Sequence, residues 1–503
     1  MTKENLNSDP SITLDGYQLF TFEKEDCEVH FRGALHIDNV LVDIGKWIQS
    51  LAGQLGSDQS ASIEYLASEL VRASGLFSLV IRKGRDFYLA GDRIRSISLF
   101  YGFHGGRLLL ANNLDEYQKQ NGTFQCDDNR VEEFVASGYV YANRTVFKDI
   151  YTLQAGEIVA IRAKEISSRR YFEYKRREQS EPYKDLHEFA SELDQALLGA
   201  FSRMIEQTPD VNRWFVPLSG GHDSRTVANF LHRLGQKNVV CYTYGKPENI
   251  QMSSSRQVAE ALGFEWHFVE HTEEKWHKLH ERGLIDAYID FAFNGASTPH
   301  LQDFLAVTEL KEKGIAGPGD VFVPGHTYDF QTGANFGEAD MACENRDMVL
   351  ERVLAAHTRW GDYSSSLTHT IGDIFDSSGV KPRHFQEYFN WQELRSKFTI
   401  NSLRCYEFHG CDFRIPFWDR EVVEFWLKAP DKERAGRKLS FQAEQEGILM
   451  DQIASIPFGG NKDRSGKNLL TDFLTWILPG SLKTWLRKIS VRKLKMNEAL
   501  NQI

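Results

Sequence analysis

The stretch Phe215–Thr226, "FVPLSGGHDSRT", decides the fold of the larger part of this chain. A short apolar run ends in a Ser-Gly-Gly bend, and a carboxylate, a hydroxyl and a guanidinium follow where a helix begins. Outward from it, strand and helix alternate. "WFVPL" reads as a strand and "SRTVANFLHRLG" as a helix with Val227, Phe230, Leu231 and Leu234 on one face. "NVVCYTYG", "SSSRQVAEALG" and "EWHFVE" continue as strand, helix and strand, and "DVFVP" (320–324) is a fourth strand. Helices of this length between strands imply right-handed crossovers and a parallel sheet, so the class is α/β. Beyond about residue 345 the pattern is mostly helical.

Ligands of open parallel sheets sit at the carboxyl ends of the strands, where "SGGHDS" falls. Glycines let the backbone approach a phosphate, and the amides of a helix start point at the anion. Ser219 and Ser224 add hydroxyl donors. Asp223 would repel a bare phosphate, so it calls for a bridging Mg2+. The loop therefore suits a magnesium-bound polyphosphate; the plainer reading is a strand-to-helix turn with an Asp/Ser cap. It is neither a Walker loop nor G-x-G-x-x-G, and "GGNKDRSGKN" (459–468) has the wrong glycine spacing for the former.

The 503 residues predict two or three domains. A hydrophobic content of 41% and a charged content of 26% are ordinary for a globular protein. The net charge of −11 offers no field for nucleic acid. No run of 18 apolar residues occurs and "MTKENLNSDPS" is polar, which predicts neither a membrane span nor a secretory signal. Six cysteines without C-x-x-C or a Cys/His cluster fit free thiols in a reducing cytosol, so the expected location is cytoplasmic. The basic end "LKTWLRKISVRKLK" is expected to pack its Trp and Leu inward, without membrane contact. A homodimer is one expected assembly, though nothing in the sequence fixes the oligomeric state.

Residues 1–12 read as a tail and 13–175 as a first domain of many short strands, among them "CEVHFRGAL", "LFSLVIRKGRDFYLAGD" and "EIVAIRA", with a helix at "SIEYLASELVRA". "YFEYKRREQSEPYKD" (171–185) reads as a linker. The second domain, 185–503, opens with the helix "LHEFASELDQALLGAFSRMI".

"LSGGHDSR" resembles the pyrophosphate loop of the asparagine synthetase superfamily, which includes asparagine synthetases, β-lactam and carbapenam synthetases and lasso-peptide cyclases. The resemblance implies a C-terminal domain of the adenine-nucleotide α-hydrolase (PP-loop) type. It also implies an ATP- and Mg2+-dependent ligase that adenylates a carboxylate and releases AMP and pyrophosphate as an amine attacks. Carried over position by position, it assigns nucleotide binding to Leu218, Ser219, Gly220, Gly221, Asp223, Ser224, Arg225, Thr243, Gly245, Gly325 and His326, with Glu248 and Arg256 at polar positions. "VFVPGHTYDFQTG" is similar to the family's "GEGSDE.FGG" block. Gly325 and Gly333 match its glycines, Asp329 joins Asp223 as a metal ligand, and Phe330 stands where Glu is common. "SLRCYEFHGCDFRIPFWDRE" resembles "S.E.R.PFLD", which puts Asp412 at the family's catalytic Glu and Arg414 at its Arg, with Glu407 and Tyr406 as alternatives. A carboxylate there could take a proton from the attacking ammonium. The family's late phosphate-contacting lysine falls at Lys462 or Lys467.

Residues 30–172 resemble the glutaminase half of glutamine-dependent asparagine synthetases, through "GLFSLVIRKGRDFYLAGDRIRSISLFY" and "VEEFVASGYVYANRTVFKDIYTLQAGEIVAI". That implies a two-sheet N-terminal-nucleophile (Ntn-hydrolase-like) sandwich with outer helices. The family's nucleophilic Cys is replaced by Thr2, Cys27 is internal, "NGEIYN" is missing, and Ser74 replaces an expected Asp. The sandwich is therefore expected to be a scaffold, and nitrogen to come from ammonia or a substrate amine. The expected acceptor is a small-molecule or sugar-acid carboxylate of polysaccharide or natural-product biosynthesis. The alternatives are a catalytically inactive binding or assembly protein and, against the acidic charge, a nucleic-acid-modifying ATP pyrophosphatase.

Overall fold

A computed structural model describes residues 9–23, 26–177, 183–247, 250–358 and 365–459. The first part of the chain forms eleven strands: β1 Ser11–Thr13, β2 Gln18–Phe22, β3 Cys27–Ile37, β4 Val40–Leu41, β5 Ala73–Lys83, β6 Asp86–Gly91, β7 Phe100–His104, β8 Arg107–Ala111, β9 Ile150–Thr152, β10 Glu157–Arg162 and β11 Glu165–Arg170. A seven-stranded antiparallel sheet runs β11-β10-β6-β5-β3-β2, with β4 beside β3. A four-stranded sheet runs β1-β8-β7-β9.

Both faces are buried in the middle of each sheet, and the period of two explains how. Val80, Leu89 and Val159 meet Tyr101 and Leu110 between the sheets. Their neighbours Leu79, Ile81, Tyr88, Ile158 and Ala160 face the other way, onto Ile48 and Leu51 of the helix Ile44–Gln54 and Leu66 of the helix Gln59–Leu70. Beyond the smaller sheet, Phe100 and Leu109 pack against Tyr117 and Phe134 of the helices Leu114–Asn121 and Asp128–Ser137. The result is a helix–sheet–sheet–helix sandwich, as the resemblance implied for this part.

The second part holds β12 Trp214–Pro217, β13 Val239–Gly245, β14 Glu265–Glu270, β15 Val321–Phe322 and β16 Asp412–Phe413. They form one parallel sheet in the order β14-β13-β12-β15-β16. The chain runs from β12 outward to β14, then returns to the other side of β12 for β15. That reversal makes a topological switch point between β12 and β15, where ligand crevices open in such sheets. The helices His222–Arg233 and Ile250–Ala261 are the crossovers. The expected fourth strand shrinks to Val321–Phe322, because Pro324 and Gly325 end its pairing.

The two parts share one continuous core. The first half of the expected linker is structural instead: Tyr171, Phe172 and Tyr174 are buried, and Tyr174 stacks on Trp391 with centroids 4.6 Å apart. The Trp391 indole donates to the Arg93 carbonyl at 3.1 Å, and Arg95 donates to the Ser396 carbonyl at 3.0 Å. These two contacts come from a π-helical turn, Asn390–Thr399, whose fully buried Lys397 bonds Glu393 and the carbonyls of Val140 and Ala142. Among the described residues no helix is long and apolar enough to cross a membrane. All six cysteines are described and none is in a disulfide.

Candidate functional site

Apolar β12 enters the sheet centre and stops at Ser219–Gly221, where the chain turns into the helix His222–Arg233. Gly221 caps that helix without a side-chain bond, so its first amides are left for another acceptor. The Ser219 hydroxyl lies 3.0 Å from that of Ser224 and accepts the Gly221 N–H at 3.2 Å. Two of the glycines are required by close approach. A Cβ on Gly325 would sit 2.8 Å from the Asp223 carbonyl carbon and the Ser224 nitrogen, so the loop after β15 lies directly on the helix start. A Cβ on Gly220 would sit 2.9 Å from the Gly459 Cα.

That contact brings Asp223 and Asp329 together. Asp223 Oδ2 accepts the Asp329 N–H at 3.0 Å, and its Oδ1 accepts from Arg437 at 2.7 Å. Burial pushes the Asp223 carboxyl up to about 6; Arg437 opposes the rise and the Asp329 charge adds to it. The turn that presents Asp329 starts at Thr327, a β-branched residue in the left-handed region (φ 66°). Such a conformation costs on the order of 1–3 kcal/mol and persists only where the surroundings impose it. Among the described residues no group of three or more His, Cys, Asp or Glu could hold a metal. Two carboxylates nonetheless suit Mg2+, which keeps water and phosphate oxygens as its other ligands.

The segment 437–459 covers the loop, a feature not anticipated from the sequence. The His222 ring is stacked between Phe441 and Phe458, with centroids 4.0 and 3.6 Å away, and its Nδ1 lies 2.6 Å from Glu444. The Gly459 N–H donates to the Gly220 carbonyl at 2.9 Å. Arg225, expected at the nucleotide, instead donates to the carbonyls of Ile453, Ile456 and Pro457 and lies 3.9 Å over the Phe458 ring. It clamps the cover onto the loop. The only hint of Arg437 in the sequence is the glycine before it.

The remaining expected residues scatter. Leu218 is buried, and its carbonyl accepts from the Thr243 hydroxyl at 2.6 Å; Gly245 ends β13. His326 follows Gly325 and lies 2.9 Å from the Ser402 hydroxyl; burial lowers its pKa, with Asp303 opposing. Tyr406 is buried against Phe322 and donates to Asp303 at 2.6 Å, and Tyr242 donates to the same oxygen at 3.4 Å. Asp303 went unnoticed because nothing in its sequence neighbourhood marks it. Arg256 pairs with Glu260 at 2.8 Å on an exposed helix face. Gly333 lies against the Arg434 carbonyl and Phe330 is buried.

Asp412 and Glu407 are not brought to the loop. Asp412 pairs with Val321, which is level with Trp214 at the amino end of the sheet. Ser219 lies five residues further along that strand direction, roughly 16 Å at the usual rise. Asp412 is exposed and bridges Arg414 at 2.8 Å. Glu407 bridges Arg32 of the sandwich at 2.6 Å and Arg404 at 2.7 Å. The Arg-x-Pro-Phe register matched a strand whose polar positions here serve packing and the junction. Lys462, Lys467 and Glu248 lie outside the described residues.

Comparison with known proteins assigns the first part. Residues 61–172 match the glutamine amidotransferase domain family. No curated protein matches the chain. Among solved structures, the allosteric regulatory enzyme of purine biosynthesis shares 12% identity over 61% of this chain and 56% of its own, with a TM-score of 0.17. Glutamine phosphoribosylpyrophosphate amidotransferase from B. subtilis, complexed with ADP and GMP, shares 11% over 72% and 71%, with a TM-score of 0.18. The chain thus spans little more than half of the first, and superpositions this loose bear on nothing at the site. By the family match, the N-terminal sandwich is a glutamine-amidotransferase-type domain. The parallel-sheet part lies outside the matched residues.

Proposed function

We propose that the chain is an ATP- and Mg2+-dependent amide-forming ligase of the asparagine synthetase kind, which adenylates a carboxylate and releases AMP and pyrophosphate. The observation that carries this reading is the juxtaposition of a Gly-Gly bend, a helix start without a side-chain cap and the Asp223–Asp329 pair at the switch point of a parallel sheet. The Ser219–Gly221 amides and the Ser219 and Ser224 hydroxyls bind the polyphosphate. Asp223 and Asp329 hold the magnesium, which when bound neutralises phosphate charge that the chain cannot neutralise with its own carboxylates. Arg437 then moves from Asp223 to a phosphate oxygen, a partner of the same charge. Tyr406, Asp303 and His326 line the neighbouring end of β15 and orient the acceptor.

The sandwich supplies no nucleophile in this reading, and nitrogen comes from ammonia or an amine on the substrate. Its polar positions at the junction support that: Arg32 is bound to Glu407, and Ser74 donates to Asp419 at 2.5 Å. The test is pyrophosphate release with candidate acids and amines, with Asp223→Ala as control. AMP and pyrophosphate as products support the reading, whereas ADP and phosphate reject it.

One observation favours a second reading, a binding or assembly protein without catalysis. Both Asp223 oxygens are engaged within the chain, and Gly459 is bonded onto Gly220. No protection by ATP and Mg2+ against heat unfolding would select this second reading.

A further inference from the structure

Away from the glycine loop, the junction of the two parts carries a cleft of about 370 Å3. Its walls are Lys175, Arg176 and Arg177 on one side and Lys381, Arg383 and His384 on the other, with Gly379 and Val380 between. Asp431 is the one carboxylate of the lining. Five permanent cations in one concavity is an unusual concentration in a chain of net charge −11.

Part of this charge is answered locally. Lys175 bridges Glu173 at 2.7 Å and Arg177 bridges Glu424 at 2.5 Å. Arg176 is nearly enclosed; it bonds the carbonyls of Trp426 and Ala429 and reaches Asp431 at 3.1 Å, while its Nε has no partner among the described residues. Asp431 also accepts from His384 at 2.8 Å. Burial works against its charge, but the His384 bond, Arg176 and Arg434 prevail and hold its carboxyl down at about 2. Asp431 therefore spends its charge on the cleft floor. Lys381 and Arg383 are exposed and make no ion pair among the described residues.

The backbone points the same way. Lys381 is the cap of the helix Pro382–Phe389 and makes no side-chain cap bond. Proline at the first helical position removes no needed donor, and the positive end of the helix opens where Lys381 and Arg383 stand. A helix start and two unpaired cations suit a dianion with several acceptor oxygens, which is phosphate rather than a carboxylate. The volume is that of a small-molecule pocket, larger than the anion alone requires.

We propose that this cleft binds a small phosphate monoester, whose phosphate is held by Lys381 and Arg383 at the start of the helix Pro382–Phe389 and whose organic part lies along Gly379 and Val380. The site is independent of the glycine loop and of the ligase reading. Calorimetric titration of the full chain, in buffer free of phosphate and sulfate, with glucose 6-phosphate and with inorganic phosphate, tests it. One saturable site is expected, with the ester at least tenfold tighter than the free anion. The charge reversal K381E/R383E alters two exposed, unpaired side chains, so its circular dichroism melt should match the wild type. It should weaken the ester at least tenfold, while S219A/S224A in the glycine loop leaves it unchanged. No saturable heat, equal binding by K381E/R383E, or loss only in S219A/S224A overturns the proposal. Equal affinity for inorganic phosphate overturns the assignment of an ester.

Discussion

The N-terminal sandwich and the C-terminal parallel sheet keep opposite things. The sandwich retains enough sequence to match the glutamine amidotransferase family over residues 61–172, yet polar residues at its junction face are used for docking. Arg32 reaches Glu407, and Ser74 reaches Asp419. The parallel sheet lies outside that match but keeps its loop: two serines, two glycines and two aspartates in mutual contact. Strand alternation is kept by the demands of a core, whereas a polar constellation is kept by a ligand, and the two pressures are independent. On the function proposed here, the chemistry lies in the second part.

The largest expected effect attacks that contrast directly. Asp223→Asn should lower pyrophosphate release by about 10²–10³-fold, the usual loss when one electrostatic element of a transition-state site is removed. Glutamate release from glutamine should stay at background in both proteins. Glutamate release that ignores the substitution would return the chemistry to the sandwich.

Next comes the frame of the second part. Glu387 makes two 2.6 Å bonds to Arg434, which is fully buried. Glu387→Gln removes the charge of that guanidinium's hydrogen-bonded partner and leaves only the more distant Asp431, and breaking such a pair costs about 3–5 kcal/mol. Chemical denaturation should register the loss as a lower midpoint. A single transition in wild type and variant would agree with the shared core; two transitions would mean that the halves are stable separately.

How much of this was legible beforehand follows from the range of the interactions. The loop, β12 to β14 and the sandwich strands were readable because short-range periodicity and glycine placement encode them. A motif resemblance singled out Asp223 and Asp329, and the structure places the Asp329 N–H on the Asp223 carboxylate. What could not be read is non-local. Arg437 reaches Asp223 across 214 positions, and Tyr174 became core only because Trp391 lies opposite it. Asp412 was misplaced for the same reason: a register along one segment does not say at which end of a neighbouring strand it will pair.

A smaller effect is the pH dependence of the Asp223 site. Its carboxyl is raised from 3.8 to about 6, so the folded chain holds this proton more tightly than the unfolded one. Stability from this group is thus fully present below about pH 4 and is lost as pH rises through about 6, by at most about 3 kcal/mol. The stability difference between wild type and Asp223→Asn should therefore shift against the wild type across that window, as read by denaturant melts at pH 4.5 and 7.5. Added Mg2+ should reduce the shift at the higher pH, because the cation compensates the same buried charge. A flat difference would place Asp223 in solvent and weaken the case for a metal.

The smallest effect is the one that tests the contrast from the other side. Asp412 sits where a family register would put a catalytic acid, but here it is exposed, paired with Arg414, and level with the amino end of β12. An exposed pair of this kind contributes about 0–1 kcal/mol. Asp412→Ala should therefore leave the denaturation midpoint nearly unchanged and pyrophosphate release within about threefold, since proton transfer requires hydrogen-bond reach of the reacting group. Tyr406→Phe should do more, because it removes the donor to Asp303 at the end of the sheet where the acceptor is proposed to bind. Should the order be reversed, with Asp412 critical and Tyr406 dispensable, the amino edge of the sheet would belong to the working site. The division between a docking sandwich and a chemical sheet would then have to move to the junction, where Arg32 and Glu407 meet.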